Sequence, residues 1–404
     1  MFAFKAPSRQ LAKAAAPAPK FARQKLLQRL AARGPQPAQS VPTIPTCPTP
    51  NCECAEMPSD LDIETSKDLN GTMAAYSEQI LISTGQADWK SKIEDEKETA
   101  PWGSVVSQIK TMLGPKGQFH DPYRNVVVST SSFEAANGPV TGSPQALLFP
   151  SFLMVDGLNS SESSVADFLD TFIAPSTSPP RGEAEISQDS KQRGKALTDG
   201  SPVARPISSP TILICSHNSR DTRCGILGPL LHSEFVQYIN KRHALSNSLI
   251  AEEITSDNHE EEQIQSFASH PDFRPDAIDA EHNNQQPINV GMISHIGGHK
   301  WAGNVIVYIP PGYQVNPMQR NHRGSKPKDE SDTGSDTPVV HDAQPLSANE
   351  ADPDLSPLAG KGIWYGRVQP KHIEGIVEQT IGHGKVIREL FRGGINKDGS
   401  MIRL

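Results

Sequence analysis

Two cysteines separated by eight residues, Cys215 and Cys224 in CSHNSRDTRCG, and two histidines separated by three, His295 and His299 in SHIGGHKWAGN, are the residues of this chain whose types best suit chemistry. A dithiol redox pair uses about two intervening residues, and a zinc knuckle about two to four. The wider gap suits a loop that wraps around something larger than one ion. Gly297 and Gly298 argue against a helix between the histidines and for a tight turn that aims both rings at one point. Each pair follows an apolar run that reads as a strand, so the four groups are expected to meet at one end of a sheet.

That ligand set admits three readings. Zinc accepts two thiolates and two imidazoles in a tetrahedral site. A [2Fe-2S] cluster accepts them too, with imidazoles raising the potential over an all-thiolate set. The third reading is two buried thiols and two unrelated histidines. His217 and His232 are competing imidazoles, but His217 lacks a glycine turn beside it and His232 is expected on the surface of a helix. Backbone N–H groups of the cysteine loop, which also holds Ser216, Asn218, Ser219 and Thr222, are placed to donate to a cluster's sulfurs. Arg220, Asp221 and Arg223 read as a local charge pair that orients the loop, and Trp301 as an ordinary core residue, with shielding of one side of the site as the alternative.

A second concentration of sulfur is CPTPNCEC, with Cys47, Cys52 and Cys54. Three thiols there could bind zinc with one outside ligand, act as a thiol relay, or form a disulfide. Cys52 and Cys54 are too close in sequence for a relaxed bridge, so Cys47 with either is the better internal pair. Free thiols on an extended segment are the remaining possibility.

The elements that must position these groups are legible in outline. Glu78–Ser83, Asn125–Ser129, Ala146–Val155, Thr211–Cys215, Asn289–Ser294, Asn304–Ile309 and Ile363–Val368 read as strands. Apolar residues at helical spacing from Trp102 to Leu113 predict a helix, as do Val165–Phe172, Ile226–Arg242 and the segment opened by Pro370 and closed by Gly382. The fold class expected is α/β: a presequence and lead over 1–44, an N-terminal Cys-rich segment and α/β region over 45–173, a disordered linker over 174–209, and a thioredoxin-like domain over 210–404. Acidic polar insertions near 246–285 and 317–358 interrupt that last domain. Removing them leaves the order β-α-β-β-β-α.

Composition narrows the function classes. Hydrophobic residues are 36% of the chain and prolines number 35, so a large part is expected not to pack. Eight of the 38 cations and none of the 46 acids fall within residues 1–52, so the remainder is strongly acidic. An acidic body argues against a nucleic-acid partner. The longest apolar run, ALLFPSFLMV, is too short to insert through a bilayer. The acid-free, Ala- and Arg-bearing start, with Phe21, Leu26, Leu27 and Leu30 able to share a helical face, predicts a mitochondrial presequence read by the import machinery, with the matrix favoured over the intermembrane space.

The paired C-x8-C and H-x3-H motifs, with RDTRCG closing the cysteine loop and WYGRVQPKHI near the end, resemble the sucrase/ferredoxin-like family of thioredoxin-fold ferredoxins. That resemblance implies that Cys215, Cys224, His295 and His299 ligate a [2Fe-2S] cluster, and that the chain is an electron carrier in thiol and redox homeostasis rather than a turnover enzyme. Its partners would be flavoproteins or thiol proteins. An imidazole bound to iron through one nitrogen keeps the other free to exchange a proton, which couples electron transfer to pH. The competing functions are a thiol-disulfide oxidoreductase or redox sensor working through Cys47, Cys52 and Cys54, and a zinc-stabilised interaction module.

Overall fold

A computed structural model describes residues 41–51, 53–135, 144–174, 202–254, 287–315 and 354–404, with side chains of the long helix described as far as 244. The presequence call, Cys52 and most of the two acidic insertions lie outside the described residues. Thirteen strands are present among the described residues: β1 Thr43–Ile44, β2 Glu78–Ser83, β3 Val126–Ser131, β4 Ala146–Phe149, β5 Leu153–Asp156, β6 Val203–Pro206, β7 Thr211–Cys215, β8 Asn289–Ile293, β9 Val305–Ile309, β10 Lys361–Tyr365, β11 Val386–Ile387, β12 Phe391–Asn396 and β13 Met401–Ile402. The helices are α1 Pro101–Leu113, α2 Glu162–Phe168, α3 Thr222–Ile254 and α4, whose Ile373–Gly375 turn runs on into Ile376–Gly382.

Local chemistry accounts for these elements. Pro101 sits at the start of α1, where its missing N–H costs nothing. Trp102, Val105, Val106, Ile109 and Met112 then form one buried stripe. Ser161 caps α2 by accepting from the Ser164 N–H. The predicted strand over 146–155 is two strands, because Pro150, Ser151 and Phe152 form a turn between them. Part of the predicted linker is also ordered: Val203–Pro206 pairs antiparallel with β5 as an edge strand. Its four residues, VARP, are largely exposed and carry no apolar alternation, which hid it from periodicity.

Eleven strands form one mixed sheet in the order β13-β12-β10-β9-β7-β8-β3-β2-β4-β5-β6. Within it the same topology occurs twice. In β2-α1-β3-β4-β5-α2, β2 is parallel to β3 and antiparallel to β4, and β4 is antiparallel to β5. In β7-α3-β8-β9-β10-α4, β7 is parallel to β8 and antiparallel to β9, and β9 is antiparallel to β10. The two regions read separately from the sequence are therefore halves of one sheet.

Equivalent strands join them, β3 lying antiparallel to β8. The junction is reciprocal: Ser132 N–H donates to Met292 O at 2.9 Å and Ser294 N–H to Thr130 O at 2.9 Å. The Thr130 N–H donates to Ser294 Oγ at 2.9 Å, and the Met292 N–H to Ser132 Oγ at 3.0 Å. Hydroxyls complete the ladder where the two strands diverge.

The sheet is strongly curled. Four strands separate β4 from β9 in the sheet order, about 24 Å if it were flat. Yet Phe149 of β4 stacks on Tyr308 of β9 with centroids 4.1 Å apart. The concave face encloses Leu81, Leu147, Phe149, Leu213, Ile306, Tyr308 and Trp364. The alternate residues Ile80 and Ile82 pack under α1 and α2, and Ile212 and Ile214 under α3 and α4. A buried polar chain crosses the concave core: Trp364 Nε1 donates to Tyr76 Oη (3.0 Å), Tyr76 and Tyr308 hydroxyls bond at 2.6 Å, Tyr308 donates to Gln79 Oε1 (2.7 Å), and Gln79 Nε2 donates to Ser129 Oγ (2.8 Å). Among the described residues no helix is long and apolar enough to cross a membrane.

Glu78 opens β2 at 6% exposure, with Ser151 Oγ and N donating to its two carboxylate oxygens at 2.8 and 3.2 Å. Burial pushes its pKa up to about 7, against those bonds. The folded state thus holds this proton more tightly than the unfolded chain does. The resulting stabilisation is complete below the ordinary carboxylate range and disappears as pH rises through about 7. Glu78→Gln is expected to unfold at the same temperature as the parent near pH 4 and to be the more stable protein at pH 8, by on the order of 3 kcal/mol. Thermal melts at the two pH values check this.

Candidate functional site

The site lies at the C-terminal ends of two neighbouring parallel strands. Cys215 is the last residue of β7 and pairs in register with Ile293, the last residue of β8. The chain leaving β7 and the chain leaving β8 therefore emerge side by side, the first toward Cys224 and the second toward His295. Cys224 lies in the first turn of α3, its N–H bonded to Asp221 O at 3.1 Å. After His295 the backbone takes positive φ at Gly297 (86°) and Gly298 (78°) and enters the short turn His299–Trp301. The expected glycine turn replaces a helix here, and a side chain at 298 would also collide with Arg392.

The structure brings the four groups together. Cys215 and Cys224 are each 1% exposed and both are free thiols. The Cys215 sulfur receives hydrogen bonds from the Cys224 thiol, the His295 side chain and the His217 N–H. These bonds, led by that from Cys224, hold the Cys215 thiol well below its ordinary range in spite of burial. Cys224 is pushed up correspondingly, first by its bond to Cys215 and then by burial. The His295 and His299 rings lie 5.1 Å apart at 35°. Both imidazoles are half-buried, so the site has a sealed thiol side and a partly open histidine side.

His217 is no competitor for the site. Its Nδ1 accepts from the His295 N–H at 3.0 Å, which leaves the proton on Nε2 to be donated to the carbonyls of Trp89 (2.9 Å) and Lys90 (3.0 Å). It clamps the histidine loop to the cysteine loop and both to the segment after β2. His232, expected on the helix surface, is instead partly buried on α3, where burial lowers its pKa.

The rest of the cysteine loop docks on the same segment. Ser216 Oγ donates to Ala87 O at 2.7 Å, Ser219 Oγ to Asp88 Oδ2 at 2.9 Å, and Arg220 reaches Ser91 O at 3.4 Å. The hydroxyls of Ser216 and Ser219 thus brace the loop, and the donor the loop offers to sulfur is the His217 N–H. Asp221 and Arg223 form the expected local ion pair at 2.9 Å, while Arg223 also donates to Asp62 O at 2.8 Å. A cavity of about 320 Å³ opens beside the histidine side, lined in part by Lys92, Lys110, His217, Arg220 and His295.

Arg392, which lies on β12, is absent from the sequence-derived candidates. It is 2% exposed and donates to Asn304 Oδ1 (2.7 Å), Gly297 O (3.2 Å), Thr72 O (3.1 Å) and Thr72 Oγ1 (3.2 Å). Its guanidinium stands 5.1 Å from the Trp301 ring and 5.8 Å from that of Trp364. Trp301, 8% exposed, is buried as expected of a core residue.

The N-terminal thiols are elsewhere. Cys47 packs against α4, its thiol 3.8 Å from His372 O and its N–H bonded to Glu389 Oε1 at 2.7 Å. Burial, with Glu389 and Glu374, pushes that thiol up to about 12. Cys54 is half-buried.

Residues 69–393 match the model of the sucrase/ferredoxin-like family. The chain belongs to that family. It is 23% identical over 368 residues to altered inheritance of mitochondria protein 32 of Meyerozyma guilliermondii, covering 87% of this chain and 95% of the relative. The protein of that name from Debaryomyces hansenii is 24% identical over 363 residues, covering 87% and 96%. Actin patches distal protein 1 of Saccharomyces cerevisiae is 21% identical over 255 residues, covering 62% of this chain and 66% of that protein. No solved structure matches.

Among the described residues no group of three or more His, Cys, Asp or Glu side chains is arranged to hold a metal ion. The chemistry of the donors nonetheless fits a bound metal group. His299 Nδ1 is a buried ring nitrogen without a hydrogen-bond partner, on a ring 5.1 Å from that of His295, whose side chain in turn acts on the buried Cys215 sulfur. An unsatisfied buried nitrogen of that kind calls for a ligand.

Two outcomes are expected. His217→Ala leaves the His295 N–H and two carbonyls without their partner and should cost about 2 kcal/mol in denaturant unfolding. Cys47, with about one thiolate in ten thousand at pH 8 on its raised pKa, should be alkylated far more slowly than Cys54 when labelling is followed by mass spectrometry.

Proposed function

We propose that this chain is a mitochondrial one-electron carrier in which Cys215, Cys224, His295 and His299 hold a [2Fe-2S] cluster, exchanging electrons with flavoproteins or thiol proteins in redox homeostasis. The observation that carries the reading is the convergence of two buried, mutually hydrogen-bonded thiols with His295, and of His295 with the unsatisfied nitrogen of His299. The donor count supports it further. Two thiolates and two imidazoles would supply two protein ligands for each of two irons.

When bound, the cluster would supply one-electron transfer between ferric and ferrous iron. The chain's own residues do the rest. Cys215 and Cys224 provide thiolates at the sealed end of the sheet, and the His217 N–H donates to the Cys215 sulfur, a bond that favours the more electron-rich state. His217 also fixes where His295 leaves β8. Burial of both sulfurs excludes water from that side. The half-buried imidazoles leave an edge toward which a partner can approach, beside the cavity that His295 helps to line. The mitochondrial assignment is supported by relatives named for altered inheritance of mitochondria.

The competing thiol-enzyme reading has less support. Cys47, with its thiol pushed up to about 12, is a poor nucleophile at neutral pH.

Protein purified without oxygen is expected to be reddish-brown, to contain iron and acid-labile sulfide in equal amounts, and to give an electron paramagnetic resonance signal on reduction. Cys215→Ser and Cys224→Ser should each lose that signal, and Cys54→Ser should keep it. Colourless protein containing zinc, with wild-type behaviour in the Cys215 variant, would contradict the reading.

A further inference from the structure

We propose that Arg392 is a fixed counter-charge for the Cys215–Cys224 centre, a positioning residue that raises the centre's reduction potential by stabilising its reduced, more negative state. This rests on the cluster reading above and assigns a role to a residue that is not among its ligands.

The guanidinium is sealed in the protein at 2% exposure, and among the described residues it donates to neutral acceptors, the carbonyls of Thr72 and Gly297, the Thr72 hydroxyl and the Asn304 amide oxygen. Two tryptophan faces flank it. A buried cation satisfied only by neutral dipoles is costly unless an opposite charge stands nearby. The charges that act on Arg392 are those of the Cys215 and Cys224 sulfurs. Its location is specific as well. Nη1 bonds the Gly297 carbonyl inside the turn that carries His295 and His299, and only a glycine at 298 leaves room for Nη2.

Sulfurs held as thiolates, as metal ligation requires, supply that opposite charge. Two ferric ions, two sulfides, two thiolates and two neutral imidazoles sum to zero. One electron, delivered by a reduced flavoprotein or thiol partner, makes the sum minus one without any bond forming or breaking. Arg392 keeps its proton in both states and attracts the reduced one more strongly. In a low-dielectric site of fixed geometry that difference appears as potential.

The test uses the full chain, purified with its cluster, as parent, Arg392→Met, Arg392→Lys and Asn304→Asp. Iron and sulfide are measured in each, and the midpoint potential is read by spectroelectrochemical titration. Arg392→Met should lower the potential so that, at the parent's midpoint, the reduced-to-oxidised ratio falls at least tenfold, equivalent to 59 mV for one electron. Arg392→Lys should recover part of that fall. Asn304→Asp places a carboxylate where the amide oxygen lies 2.7 Å from Nη1, neutralising the arginine without removing it, and should shift the potential the same way.

Loaded Arg392→Met and Asn304→Asp proteins with the parent's potential would overturn the inference while leaving the cluster reading intact. Parent protein devoid of iron and sulfide would instead overturn the cluster reading, and this inference with it. Should Arg392→Met lose the cluster, its retention in Arg392→Lys upholds the charge, and its loss from all three variants assigns Arg392 to packing.

Discussion

The parallel pairing of β7 with β8, in the register that sets Cys215 beside Ile293, is the constraint on which the rest of the site depends. Parallel neighbours end on the same side of a sheet, so the loop that follows Cys215 and the loop that opens at Ser294 leave one edge together. A long helix and the segment after it separate the two strands in sequence without separating them in space. Every later feature, from the Cys215–His295 hydrogen bond to the clamp made by His217, follows from that adjacency. A slip of one residue in this register would send Cys215 to the opposite face of the sheet.

The second copy of the topology explains how so exposed an edge is made rigid. Strand β2 of the N-terminal half occupies the place that β7 occupies in the C-terminal half. The segment that follows it, from Ala87 to Ser91, receives Ser216, His217, Ser219 and Arg220 of the cysteine loop. Corresponding loops of the two halves thus face each other, one bearing the thiols and the other supplying carbonyls and a carboxylate. The reciprocal serine contacts at the β3–β8 junction and the buried Trp364–Tyr76–Tyr308–Gln79–Ser129 chain hold the halves in that relation. The N-terminal half serves the site as scaffold while contributing none of the four candidate ligands.

Much of this was legible in the residues themselves. TILIC, NVGMI and VIVYI are apolar enough to declare buried strands, and the cysteine and histidine pairs follow two of them directly. The glycines between His295 and His299 correctly signalled a turn. The union of the halves was not legible, because β3 and β8 meet through serine hydroxyls and backbone groups that look like any polar strand end. Strand β6 was hidden by its exposure, and β12, FRGGIN, by glycines that weaken a strand signal. Arg392 within it reads as surface charge until the curled sheet buries it between two tryptophans. His217 looked like a spare imidazole, since only the fold shows that both of its nitrogens are engaged.

The account comes down to whether imidazole nitrogens and thiolates share one inorganic centre. Pulsed electron paramagnetic resonance of the reduced protein, grown with 15N-labelled histidine, measures this directly. Strong couplings to histidine nitrogen, diminished when either His295 or His299 is replaced, are the predicted result. A reduced centre without histidine nitrogen coupling, or one whose couplings survive both replacements, would contradict it.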